Sequence, residues 1–235
     1  MSFQILNVKI DNLAKEEIVE KIKNCLKSDS HCQIATVNPE FILRAQENKK
    51  FKNILNSKKT LCVADGIGLK FAGWWYGQNL KYRWAGADLM KEILKIADEK
   101  KQKVFLIANK DGLSTWQETA MAIKKLYPKL KISGINISIK STPYKIPDTK
   151  HDVIFCSLGA PQQEILLYQL RSVAKIAMGV GGSFDFLTGK IKRAPGFFRQ
   201  FGLEWLWRLI MEPQYRWKRI WRAVIIFPIK VVFKK

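Results

Sequence analysis

Apolar positions along the chain follow two periods, and the two alternate. Short continuous apolar runs at "FQILNVKI" (3–10), "CQIATV" (32–37), "TLCVA" (60–64), "KVFLIA" (103–108), "KISGINI", "DVIFCSLG" and "AKIAMGVGG" read as strands. Between them the spacing turns helical. Ile18, Ile22 and Leu26 fall on one face, as do Leu89, Ile93, Ile96 and Ala97, and then Trp116, Ala120, Ile123 and Tyr127. "EFILRAQENKKFKNIL" after Pro39, the stretch opened by Asp65-Gly66, and "PQQEILLYQLR" complete the helices, and a loop holding Ser, Thr and Pro separates "KISGINI" from "DVIFCSLG". Apolar strands alternating with amphipathic helices predict an α/β fold, a parallel-rich, Rossmann-like sheet covered by helices.

Charge adds a second feature. The 235 residues carry 41 Lys+Arg against 20 Asp+Glu, a net +21, so the chain is drawn to polyanions: nucleic acid, an acidic membrane or a phosphate-bearing substrate. The excess concentrates beyond residue 190, together with Trp205, Trp207, Trp217 and Trp221. The expected organisation is therefore a core over 1–190 and a basic, aromatic helical appendage over 191–235. Arg216, Arg219 and Arg222, spaced by three, share one side of a helix there. Trp with Arg suits a membrane interface; the plainer alternative is a terminal helix with buried Trp and solvated Arg. Neither a signal peptide nor a run of about 20 apolar residues is visible, so the expectation is a cytoplasmic protein. Cys25, Cys32, Cys62 and Cys156 form no Cys-x-x-Cys pair and read as reduced thiols, and His31 beside Cys32 is too little for a metal site.

In a parallel sheet, ligands sit at the carboxyl ends of the strands. Four polar groups are expected there: Thr36 and Asn38 in "TVNPE", Asp65 in "VADGIG", Gln163 in "SLGAPQQE", and the turn with Gly179, Gly181 and Gly182 in "GVGGSFDF". Each has a plainer reading: Asn38 and Asp65 as helix caps, the glycines as a simple turn, Gln163 as a solvated side chain. Convergence of all four favours a site whose glycine amides meet an anion. The dinucleotide fingerprint does not fit, because "GVGGSF" comes late with no acid about 20 residues on, and no Walker-type loop is present.

The segments "TVNPEFILRA", "VADGIG", "RWAGADL", "SLGAPQQE", "GVGGSFDFLTGKIKRAP" and "GLEWLWRLIMEPQYRWKR", in this order over almost the whole chain, resemble the WecG/TagA/CpsF glycosyltransferase family. The resemblance implies an inverting, metal-independent transfer from a UDP-sugar, N-acetylmannosamine foremost, to a polyprenyl-diphosphate-linked sugar in cell-surface polysaccharide or teichoic acid synthesis, with no cofactor. It implies Asp65 as catalytic base and Thr36, Asn38, Arg83 and Gln163 in the substrate pocket; Gln162 stands where the family usually has Lys. It implies a tail that meets the inner face of the bacterial membrane and brings Arg216, Arg219 or Arg222 to the diphosphate. Association into a homodimer is a further expectation, with the tail closing its own site or a partner's. The absence of an Asp-x-Asp pair agrees with metal independence. A basic nucleic-acid-binding protein and a non-catalytic membrane adaptor are the rivals; no nucleic-acid motif supports the first, and the retained Thr36, Asn38, Asp65 and Gln163 oppose the second.

Overall fold

The structure, a computed structural model, describes all residues except 29, 30, 141–143, 145, 147, 148, 234 and 235, and the side chain of Tyr215. Most of the loop expected before "DVIFCSLG" therefore lies outside the described residues. The chain opens with a hairpin, β1 (Ser2–Ile5) and β2 (Val8–Asp11), followed by α1 (Lys15–Lys27). Then come β3 (Cys32–Val37), α2 (Pro39–Glu47), α3 (Lys49–Leu55), β4 (Thr60–Ala64), α4 (Gly68–Trp75) and α5 (Gly86–Glu99). The second half holds β5 (Lys103–Asn109), α6 (Trp116–Leu126), β6 (Lys131–Ile137), β7 (His151–Cys156), α7 (Gln162–Gln169), β8 (Ala174–Gly179) and α8 (Ser183–Leu187). The tail forms α9 (Gly196–Gln200), α10 (Glu204–Met211), α11 (Pro213–Trp221) and α12 (Phe227–Phe233).

Strands β3 to β8 form one parallel sheet in the order β4-β3-β8-β7-β5-β6. Alternation along the strands divides the core into two layers. Ile34, Val63, Leu106, Phe155 and Met178 meet α1, α5 and α6 on one face. Ala35, Val37, Cys62 and Ala64 meet α2, α3, α4 and the hairpin on the other, with Phe227 and Val231 of α12 fully buried among them. The tail is thus packed on the core through α2 and α4.

Two expectations are corrected. Residues 3–10 are two antiparallel strands, because Leu6 and Asn7 take φ of 48° and 59° and turn the chain in the type I′ manner. The helix expected after Pro39 breaks at Asn48, whose side chain accepts from Phe51 N–H at 3.0 Å and starts α3. In the tail, Arg222–Ile226 form a π turn between α11 and α12, in which Phe227 N–H reaches Arg222 O. That widening sits where Pro228, lacking an N–H, disrupts the regular helical ladder.

Candidate active site

The strand order brings the four expected groups together. β4, β3, β8 and β7 are consecutive neighbours and parallel, so Asp65, Thr36, the glycine turn and the loop before Gln163 share one sheet edge. The ladder continues past β4: Asp65 N–H donates to Val37 O at 2.7 Å, fixing the Asp65 backbone. Alternation then turns Asp65 toward the α5 side of the sheet. There Gly86, the first residue of α5, donates its N–H to Asp65 Oδ2 at 3.3 Å. A Cβ on Gly86 would stand 3.0 Å from Thr36 Oγ1, so glycine lets Thr36, Asp65 and the start of α5 close on one another. Asp65 is therefore aimed at the N-terminus of α5, whose dipole favours a carboxylate, and α4 begins without any side-chain cap.

Protein surrounds Asp65 on most sides while an edge stays open to solvent. Loss of water pushes its pKa up to about 6. The Gly86 N–H and the charges of Arg83 and Arg208 pull the other way, and Glu204 adds to the rise. A carboxylate with that pKa is half-charged just below neutral pH and accepts a proton readily above it.

Asn38 behaves as the plainer reading has it: its Oδ1 accepts from Phe41 N–H at 3.1 Å and caps α2. Gln163 is buried and ties two turns together. Its Oε1 accepts from Gly159 N–H at 3.0 Å and from Gly181 N–H at 3.2 Å, and its Nε2 donates to Glu164 Oε1 at 2.7 Å. The Gly181 amide expected to face an anion is thus engaged by Gln163. Gly181 has φ of +49° and open space where a Cβ would stand, and Gly182 is next to it, with Asp185 nearby. Glu164, fully buried, has its pKa raised to about 7 by loss of water, against the Gln163 bond.

The appendage arginines divide. Arg219 pairs with Glu40 at the start of α2 (Nε to Oε2, 2.8 Å) and Arg222 pairs with Glu47. Burial works to raise the pKa of Glu40, but Arg219 and Arg44 outweigh it and hold it below its ordinary value. Arg44 also reaches Ala160 O, joining α2 to the loop before α7. Arg216 pairs with Glu212 at 2.5 Å and lies close enough to Arg208 for their charges to act on each other.

Arg208, which sequence reading did not single out, is a tail arginine whose charge acts on Asp65. It stacks over Phe186 at 4.5 Å and lies 3.5 Å from Glu204. Glu204 is 3.6 Å from Arg193, and Arg193 grips Asp88 of α5 through two bonds of 2.6 and 2.7 Å. This chain of ion pairs fixes α10 against the core in the same molecule as Asp65. The only signals in the sequence were the Glu204–Arg208 spacing of four and a place inside a quoted segment. Arg83 donates to Arg199 O at 3.1 Å, and with Asp88, Arg199 and Glu204 it lines a polar cavity of about 440 Å³ at the start of α5; Asp65 itself is not in its lining.

A sequence model described as the glycosyl transferase WecG/TagA/CpsF family matches residues 3–235. The chain belongs to that family. It is 33% identical to a Staphylococcus aureus (strain MRSA252) protein over 98% of this chain and 92% of that one. It is 34% identical to a Bacillus subtilis (strain 168) protein, covering 90% and 80%. It is 35% identical to a Bacillus spizizenii protein, covering 80% and 74%. All three relatives are named N-acetylglucosaminyldiphosphoundecaprenol N-acetyl-beta-D-mannosaminyltransferase. Membership in the WecG/TagA/CpsF family makes a glycosyltransferase the frame for the site just described. Among the described residues, no helix is long and apolar enough to cross a membrane, and no three His, Cys, Asp or Glu side chains are grouped as metal ligands.

Proposed function

We propose that this chain transfers a sugar, N-acetylmannosamine, from a UDP-sugar to the sugar of a polyprenyl-diphosphate acceptor, with inversion and without a metal ion. The names of its relatives support the acceptor class and the sugar. The observation that carries the chemistry is Asp65: a carboxylate at the sheet edge, desolvated enough to titrate near 6, with Arg83 and Arg208 close by.

In the proposed step, a hydroxyl oxygen of the acceptor attacks the anomeric carbon. The bond from that carbon to the diphosphate oxygen breaks, and UDP leaves with the electron pair. Asp65 takes the hydroxyl proton and later returns it to water. Arg83 and Arg208, joined by Arg216, balance the charge that develops on the diphosphate, the task a metal performs in other enzymes. Thr36 packs beside Asp65. Gln163 and Asn38 act by holding turns at the carboxyl ends of the strands, and Gly182, beside one of these turns, is the glycine left to meet the substrate. Arg219 and Arg222 anchor the tail on α2. Residues 1–190 are the catalytic core, and 191–235 the appendage that meets the inner face of the bacterial membrane.

The deciding experiment measures UDP release from a panel of UDP-sugars with a polyprenyl-diphosphate-sugar analogue in EDTA, wild type beside Asp65→Asn. Release by wild type alone is expected. Equal release by the variant sinks Asp65 as base, and loss of wild-type release on adding EDTA sinks metal independence.

A further inference from the structure

α4 breaks the pattern set by the other core helices. Its inner face is ordinary: Leu69, Ala72 and Gly73 are buried. Its outer face should be polar, as on α5, where Lys91 and Lys95 point outward. Instead Ile67, just before α4, and Phe71 and Trp74 follow one another at spacings of four and three, and all are exposed. Trp74 is 70% exposed, with Phe71 6.3 Å away centroid to centroid. A helix apolar on both faces, with Lys70 as its only charge, is costly in water unless something covers it.

The neighbours of α4 continue the same surface. Gly202 packs against Ile67, with its Cβ position 3.3 Å from Ile67 Cβ, which places α9 with exposed Phe197 and Phe201 beside the start of α4. On the other flank Tyr76 donates to Val231 O at 3.5 Å, so α12 runs alongside and presents Ile229 and Phe233, the latter 81% exposed. The apolar rim thus runs from α9 over α4 to α12, and Ile67 stands two residues from Asp65.

We infer that α4 of the catalytic core is the centre of a composite docking surface for an anionic lipid bilayer, with α9 and α12 as its flanks. Charge selects this occupant. A second copy of a chain with net +21 repels the first, whereas an acidic leaflet attracts it, and Trp at headgroup depth with cations around it is what such a leaflet accommodates. The inference deepens the membrane role proposed above by placing its centre on the core. It also fixes an orientation, since a bilayer against Ile67, two residues from Asp65, brings the partly exposed Asp65 close to the depth of lipid phosphates.

The test is flotation of the full chain with vesicles of phosphatidylcholine and phosphatidylglycerol, comparing wild type, Phe71→Ser/Trp74→Ser, and Met121→Ser/Leu126→Ser on remote α6. The α4 double variant is expected to lose about tenfold or more in vesicle partition, while the α6 control and transfer to a water-soluble short-chain acceptor stay unchanged. Trp74→Ala, at the more exposed position, should show a smaller loss with an unaltered melting curve, which separates lost docking from lost folding. Vesicle partition of the α4 variant equal to wild type overturns the inference. So does a wild-type dimer in sedimentation that the α4 variant abolishes, which would assign the patch to a second copy. Transfer to the soluble acceptor is read in the same samples, so failure of lipid docking and failure of the transferase reading are told apart.

Discussion

The core half of the site and the tail half are built by different means. Asp65, Thr36, Gly86 and Gln163 are held by main-chain hydrogen bonds and close packing, and their positions follow from strand order. Arg208, Arg216, Arg219 and Arg222 are held by pairing with Glu204, Glu212, Glu40 and Glu47. The first arrangement holds a carboxylate from a backbone that the sheet ladder fixes. The second sets guanidiniums at the ends of long side chains, where pairing is exchangeable. In the proposed reaction, a base needs the first kind of precision, and a diphosphate that arrives and leaves is served by the second.

That contrast can be broken at either end. The largest effect is expected at Asp65, where Asp65→Asn should lower turnover by about 10²–10⁴-fold while UDP binding persists. Its pH profile carries the same information: kcat/KM should fall on the acid side of about 6 as Asp65 takes up a proton, and an unchanged limb in a variant lacking this carboxylate would refute the assignment. Next comes Arg208→Ala, expected to cost about 10²-fold in kcat with little loss of stability; an effect confined to KM would mean that Arg208 only binds the donor. Phe227→Ala should destabilise by about 3–5 kcal/mol and expose the tail to limited proteolysis, because Phe227 is fully buried against α2 and α4.

Glu164 has a folded pKa of about 7, above its ordinary 4.5. The fold therefore loses stability as pH rises from 4.5 through 7, since the unfolded chain ionises first. Glu164→Gln should raise stability by about 1–3 kcal/mol at pH 8 and leave it almost unchanged at pH 4, read from melting curves. The smallest effect is expected from Arg222→Ala, because an exposed pair such as Arg222–Glu47 contributes about 0–1 kcal/mol. A large loss of transfer there would place Arg222 in the site after all.

The alternation of strands and helices was legible because each element carries its own period, and convergence at one edge followed from a parallel sheet. Strand order was not legible, since nothing local in "AKIAMG" says that β8 lies between β3 and β7. The hairpin turn was hidden because Leu6 carries no turn signal; it holds a positive φ while buried in the second core layer. The break at Asn48 is hidden because the apolar spacing continues across it. Arg208 escaped for a different reason: it acts on a residue 143 positions earlier, and only tertiary packing brings the two together.

Among the described residues β8 is the last strand to leave the ribosome and yet one of the two central ones of the sheet. Until it inserts, β3–β4 and β7–β5–β6 are two separate halves, one holding Thr36 and Asp65, the other leading into Gln163. Joining them is a long-range event that must wait for about three quarters of the chain to be synthesised, and such pairings are slow. A nascent or truncated chain therefore has no assembled site, however well its halves fold. The sheet edge is assembled in one late step, and on the proposed reading the site is complete only when α9–α12, which emerge after it, bring Arg208 to Asp65.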